Sequence, residues 1–183
     1  MERIKKITVI ALFVGCQAAV CQFLDNQIHG FLPGGELGGF SCVAFLGWPT
    51  YFMSGCTLKD GIRAFFAFIV GIVAGIVIIQ ISGWLGFMGA WGNLLAVLVV
   101  AWLLFYYELG PEYLNHLAAC YISCGSFFFY MTHVAPHAQG MGATMTGGFI
   151  TILVYLTIGL IFGWMTIAFR TWYEGRNANP EQA

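Results

Sequence analysis

His116, Cys120 and Cys124 stand four residues apart, so on a helix they line one stripe with an imidazole and two thiols. The segment beyond them adds Met131, His133, His137, Met141 and Met145. Soft sulfur and imidazole donors suit Cu(I) or Zn(II), which makes a soft-metal (Cu/Zn) transporter one reading of the chain. Against it, the donors are scattered and nothing acidic accompanies them to balance a dication. The six Cys contain no CxxC pair. Small thiols of this kind are common packing residues in helices. The sequence therefore assigns no metal centre and no cofactor. His29, His133 and His137 fall in the outer segments, and histidine is the side chain suited to sensing acidity at a gated path.

A second constellation surrounds two helix breakers. Pro49 lies in the run Trp48-Pro49-Thr50-Tyr51-Phe52, and Gly125 in Gly125-Ser126-Phe127-Phe128. Pro lacks a backbone donor and clashes with the preceding turn. A helix broken inside a membrane exposes carbonyls that are tolerated only where they face protein or water. Breaks at matching positions of two halves point to a substrate site. Trp48, Pro49, Thr50, Tyr51, Phe52, Gly125, Ser126 and Phe127 are thus the expected pore lining. Hydroxyls would come from Thr50 and Ser126, and a constriction from the aromatics. The plainer alternative is a kinked helix with its aromatics toward lipid.

The elements that must hold these residues are apolar. Of 183 residues, 60% are hydrophobic and only 8% charged, where a soluble domain carries about 25% charged. The chain therefore reads as an all-α membrane protein. Spans are expected at about 7–24, 39–56, 64–81, 94–107, 114–131 and 147–169, each near the length a bilayer requires. The basic start followed by an apolar run has the look of a signal peptide, and Phe13-Val14-Gly15-Cys16 that of a lipobox. The run is long enough to span, and an uncleaved first helix is the expectation.

All seven Lys and Arg, at 3, 5, 6, 59, 63, 170 and 176, then fall on one side if six helices cross with the N-terminus inside. The tracts 64–107 and 113–169 hold no formal charge. The expected location is the bacterial inner membrane, with both termini cytoplasmic. No acidic or basic residue is expected within a span, which argues against an ion-driven pump.

The two halves resemble each other. Phe45–Phe52 aligns with Tyr121–Phe128, and the pair Gly71/Gly75 with Gly159/Gly163. Glycines four apart let helix backbones approach closely. Three helices per half would invert the second half relative to the first, as in many channels and transporters. Residues 1–173 are read as a single six-helix domain with halves at about 7–83 and 84–170. Residues 174–183 are read as a disordered cytoplasmic tail.

Phe45-Leu46-Gly47, Tyr51-Phe52, Leu58-Lys59, Gly61 and the run Gly159–Gly163 resemble the YcdZ-like family of short bacterial inner-membrane proteins. The likeness spans most of 38–165. The resemblance implies a domain of unknown function and no substrate.

The expectation is a channel or facilitator for a small neutral or weakly charged solute, assembled as a homo-oligomer in the lipid bilayer. An accessory or structural membrane subunit is the alternative beside metal transport. No nucleophile–base pair, phosphate loop or metalloprotease motif suggests an enzyme. A net charge of −1 gives no reason to expect a nucleic-acid partner.

Overall fold

The computed structural model describes residues 2–111 and 115–176. Among the described residues, six α-helices carry the fold: α1 (Glu2–Ile28), α2 (Ser41–Ser54), α3 (Leu58–Trp84), α4 (Ala90–Phe105), α5 (Leu117–Phe129) and α6 (Met145–Arg176). No strand occurs among the described residues. The expected start of the fifth span at Leu114 and the tail beyond Arg176 lie outside the described residues. Helix α6 continues through 174–176, the first three residues read as tail.

Local chemistry sets the boundaries. Thr57 caps α3 by accepting the Asp60 N–H at 3.1 Å. The turn before it uses Gly55 at φ 120, a conformation that suits glycine alone. His116 caps α5, and α5 ends in a wider π turn over Tyr130–Val134.

Among the described residues, five segments are long and apolar enough to cross a membrane: Ile7–Phe31, Leu58–Trp84, Ala90–Leu109, Leu117–Val134 and Met145–Arg176. Helix α2 is the exception to the expected six. The stretch predicted as its beginning is taken up by a glycine-rich strap, residues 29–40, and Gly55 stops it after 14 residues. At 1.5 Å per residue it is about 21 Å long. It nevertheless joins the two ends of the bundle. Just before its first turn, the Phe40 N–H donates to Asp25 at the end of α1. In its last turn, Ser54 meets His116 at the start of α5.

Connecting segments gather at those two ends. The strap 29–40 and the 135–144 segment are tied together by Gln139 N–H donating to Glu36 at 2.8 Å. Gln80, late in α3, reaches Met145 at the start of α6 on the same end. At the opposite end Arg63 donates to Asn115 at 2.7 Å. Helix α2 lies parallel to α6, α3 lies parallel to α5, and α3 also packs against α4 and α6.

The observed α1 corrects the expected boundary at Leu24. Asp25 and Asn26, read as loop, continue the helix, and Asp25 is only 3% exposed inside the Ile7–Phe31 segment. The expectation that no ionisable residue lies within a span therefore fails at Asp25. Helices α2 and α5 are also unbroken at Pro49 and Gly125. Both residues point outward, where a missing donor or side chain disturbs no packing.

Candidate functional site

The glycine pairs are where helices touch. A Cβ on Gly71 would overlap the Cys120 carbonyl oxygen and the Ser123 hydroxyl of α5, and one on Gly75 would press on Phe127. On the other side, a Cβ on Gly159 would overlap the Ala44 carbonyl oxygen and press on Gly47 and Trp48 of α2. One on Gly163 would press on Tyr51 and the Trp48 carbonyl. In the sequence alignment of the halves, Ala44 matches Cys120, Gly47 matches Ser123 and Tyr51 matches Phe127. Each glycine thus meets the counterpart of the residue its own counterpart meets.

The same correspondence appears on the outward faces. One recess beside α1 is lined by Val14, Ala18, Phe45, Trp48, Pro49 and Phe52. Another beside α4 includes Val97, Ala101, Tyr121, Cys124, Gly125 and Phe128. In the alignment of the halves Phe45, Trp48, Pro49 and Phe52 match Tyr121, Cys124, Gly125 and Phe128, while Ile78, Val100 and Leu104 also line the second recess. Thr50 and Ser126 also match: each hydroxyl donates back along its own helix, to Leu46 O at 2.7 Å and Ile122 O at 2.8 Å.

The expected pore residues therefore divide. Trp48, Thr50, Tyr51, Ser126 and Phe127 are buried, with Thr50 and Phe127 0% exposed and Ser126 6%. Pro49, Phe52 and Gly125 face outward in the two recesses. Trp48 and Tyr51 pack on α6, while Phe127 packs on Gly75 of α3 and Gly148 of α6.

Trp48 also anchors a buried polar chain. Its indole Nε1 donates to Thr166 Oγ1 at 3.0 Å, and that oxygen lies 2.8 Å from Gln17 Oε1. Gln17 Nε2 donates to the Phe162 carbonyl at 3.3 Å. Thr166→Val would strand the Trp48 donor and one Gln17 acceptor. The expected cost is roughly 1–2 kcal/mol in unfolding measured in detergent. Thr157→Val, whose hydroxyl only back-bonds to Leu153, serves as the near-neutral control.

The feature that sequence reasoning missed is Asp25. Gln17, Cys21 and Asp25 form one buried stripe of α1 at four-residue spacing, a pattern visible in the sequence. It was hidden because Asp25 and Asn26 ended the apolar window. Asp25 Oδ1 accepts the Phe40 N–H at 3.1 Å and the Tyr155 hydroxyl of α6. Gln22 Nε2 lies 3.4 Å from Oδ2, and Gln22 Oε1 accepts from Ser41 at 2.9 Å. Gly39 is pressed so closely on the carboxylate that a Cβ there would overlap it. Among the described residues, no Lys, Arg or His pairs with Asp25.

The strap covers this end. The Tyr130 hydroxyl sits between the Pro33 and Gly142 carbonyls at 3.0 and 2.9 Å, and Thr151 donates to Pro33 O at 2.8 Å. Gly34 at φ 78 makes the turn. The Gln139 N–H holds the Glu36 carboxyl below the usual carboxylate range. A lowered value means that this tie is fully present above the ordinary carboxylate range and is lost as pH falls through the lowered value. Protection of the Gln139 N–H against hydrogen exchange, taken relative to the intrinsic rate at each pH, is expected to fall on that acid limb, and to be low already at neutral pH in Glu36→Gln.

At the opposite end, burial, followed by the Arg63 charge, pushes the His116 imidazole below its usual range. Its Nδ1 accepts the Ala119 N–H, which leaves Nε2–H to donate to Ser54 Oγ at 2.6 Å. Both ring nitrogens are thus occupied. Cys120 and Cys124 are buried against α3 and α4, and His133 lies beyond the far end of α5, stacked on Phe129. The described residues contain no group of three His, Cys, Asp or Glu placed to hold a metal.

No curated protein and no solved structure matches the chain. A family match covers residues 11–171, which runs from within α1 to within α6, and carries no YcdZ-like name. The chain belongs to the family described as protein of unknown function DUF1097.

Proposed function

We propose that this is a multi-pass transport protein, a channel or facilitator that passes a small neutral or weakly charged solute. The observation that carries the reading is the exchange of equivalent contacts between the halves. Gly71/Gly75 meet α5 as Gly159/Gly163 meet α2, and the α2 and α5 residues that line the two outward recesses match in the alignment. Such contacts are what two inverted three-helix repeats produce, with α1, α2 and α3 answering to α4, α5 and α6. Repeats of this kind place a solute path at their interface. Here that interface runs between α2 and α5, past Thr50 and Ser126.

The reading requires α2 to cross despite its length. Its contacts with Asp25 at one end and His116 at the other support this. With six crossings, both termini and all seven basic residues fall on the cytoplasmic side of a bacterial inner membrane. Helix α4 rests on α3 and keeps Leu94, Leu98 and Trp102 exposed, an apolar face available to lipid or to a second copy in a homo-oligomer. Kinship with the YcdZ-like proteins stays a resemblance carried by the 45–61 and 159–163 motifs.

Stopped-flow light scattering on proteoliposomes tests the function with water, urea, short amides, short carboxylic acids and ammonia. At least one is expected to pass faster than through protein-free liposomes, and Ser126→Phe to abolish the gain. A panel that shows no gain overturns the reading.

A further inference from the structure

We propose that Asp25 is a proton-binding site whose occupancy releases the strap 29–40 and so admits the solute. This rests on the transport reading above. A carboxylate buried within an apolar span without a cationic partner is costly to keep and is by default a functional group. Asp25 is 3% exposed and has no such partner among the described residues. The occupant follows from the space around it. Gly39 is packed so tightly that one carbon added there would overlap the carboxylate, and among the described residues no three His, Cys, Asp or Glu gather to form a metal shell, Cys21 being the one such neighbour Asp25 has on α1. A proton is the ligand that needs neither room nor additional donors.

The groups facing it fix the consequence. From α1 come Cys21 and Gln22, from α6 the Tyr155 hydroxyl, and from the strap the Phe40 N–H; Ser41 of α2 reaches it through Gln22. Every hydrogen bond to the carboxylate is donated to it, so the ionised form is the one that clamps α1, α6 and the strap together. Binding takes one proton from the water on the strap side onto a carboxylate oxygen, with formation of an O–H bond and loss of the charge. The neutral acid accepts more weakly and carries a donor of its own among donors. Among the described residues, the hydrogen bonds that still tie the strap to the bundle are then those of Glu36, Thr151 and Tyr130, beside the packing of Phe40 on Tyr130 and Tyr155. Deprotonation returns the same proton to that water and restores the clamp.

Infrared difference spectra across pH, taken on the reconstituted chain carrying Glu36→Gln, read the proton directly. A carboxylic C=O band that titrates is expected, and it should be missing when Asp25→Asn is added. Identical spectra for the two proteins overturn the proposal. Tyr155→Phe provides a second variant: loss of its hydroxyl donor should shift the stretching frequency of that C=O band, and an unmoved frequency contradicts the clamp. At one neutral pH, Asp25→Asn, an isostere of the protonated acid, should raise hydrogen exchange in 29–40 by about tenfold, the factor matching one charge-assisted bond. Unchanged exchange refutes strap release. In flux assays, uptake should rise with acidity on the strap side and become flat with Asp25→Asn. A wild type that moves no solute ends the transport reading, while the infrared band still decides the proton site.

Discussion

Gly71→Ala and Gly159→Ala are each expected to destabilise the folded protein by roughly 2–3 kcal/mol, and by closely similar amounts. The added carbon would strike a carbonyl oxygen in both cases, Cys120 O for Gly71 and Ala44 O for Gly159. A backbone atom inside a helix cannot rotate away as a side chain can, so the two helices must separate. Helix propensity works in the opposite sense, because alanine is favoured over glycine by roughly 0.5–1 kcal/mol in a helix interior. The contrast with other helical glycines therefore tests the contact itself. A Cβ added at Gly15 or Gly125 would meet nothing within 4 Å, and their alanine variants should be neutral or slightly stabilised. Unfolding in detergent micelles or by steric trapping reads all four variants. Equal losses at 71 and 159 are what equivalent interfaces require, and a loss at one alone would show that the halves are not equivalent.

Asp25→Ala is expected to cost more than any other single truncation in α1, roughly 2–5 kcal/mol, since it strands two buried donors at once. The Phe40 N–H and the Tyr155 hydroxyl both end on the same oxygen. Asp25→Asn keeps a carbonyl acceptor there and should cost roughly 1 kcal/mol. Tyr155→Phe removes one donor and should cost roughly 1–2 kcal/mol. The Asp25→Ala, Tyr155→Phe double variant should lose less than the sum, because the second change removes a group the first had left unpaired. Strict additivity would show that the pair does not act as a unit.

Much of this arrangement was legible in the sequence, for identifiable reasons. The glycine pairs could be read because close approach admits no larger residue, and their four-residue spacing survives in both halves. The match of Phe45–Phe52 with Tyr121–Phe128 could be read because aromatic, small and hydroxyl positions keep their order. What composition could not show is which face of each helix turns inward. Pro49 and Gly125 suggested broken helices, yet both lie on the outward face, where the helix continues undisturbed. Asp25 was lost for the opposite reason. Hydropathy averages along the chain and ended α1 at the first charged residue, while the partners that permit that charge to be buried, Phe40 and Tyr155, are remote in sequence. The shortness of α2 was likewise invisible, because Gly39 and Phe40 read as span and fold as strap.

Unless the 14-residue α2 crosses the membrane, the halves are not inverted. Single cysteines placed by Glu36→Cys and Lys59→Cys flank it, in a chain whose six native cysteines are replaced by alanine. Each can be labelled in intact cells with an impermeant maleimide. Labelling of the Glu36→Cys protein from outside, with Lys59→Cys reached only after the cells are opened, is the predicted result. Labelling of both positions from the same side would contradict it.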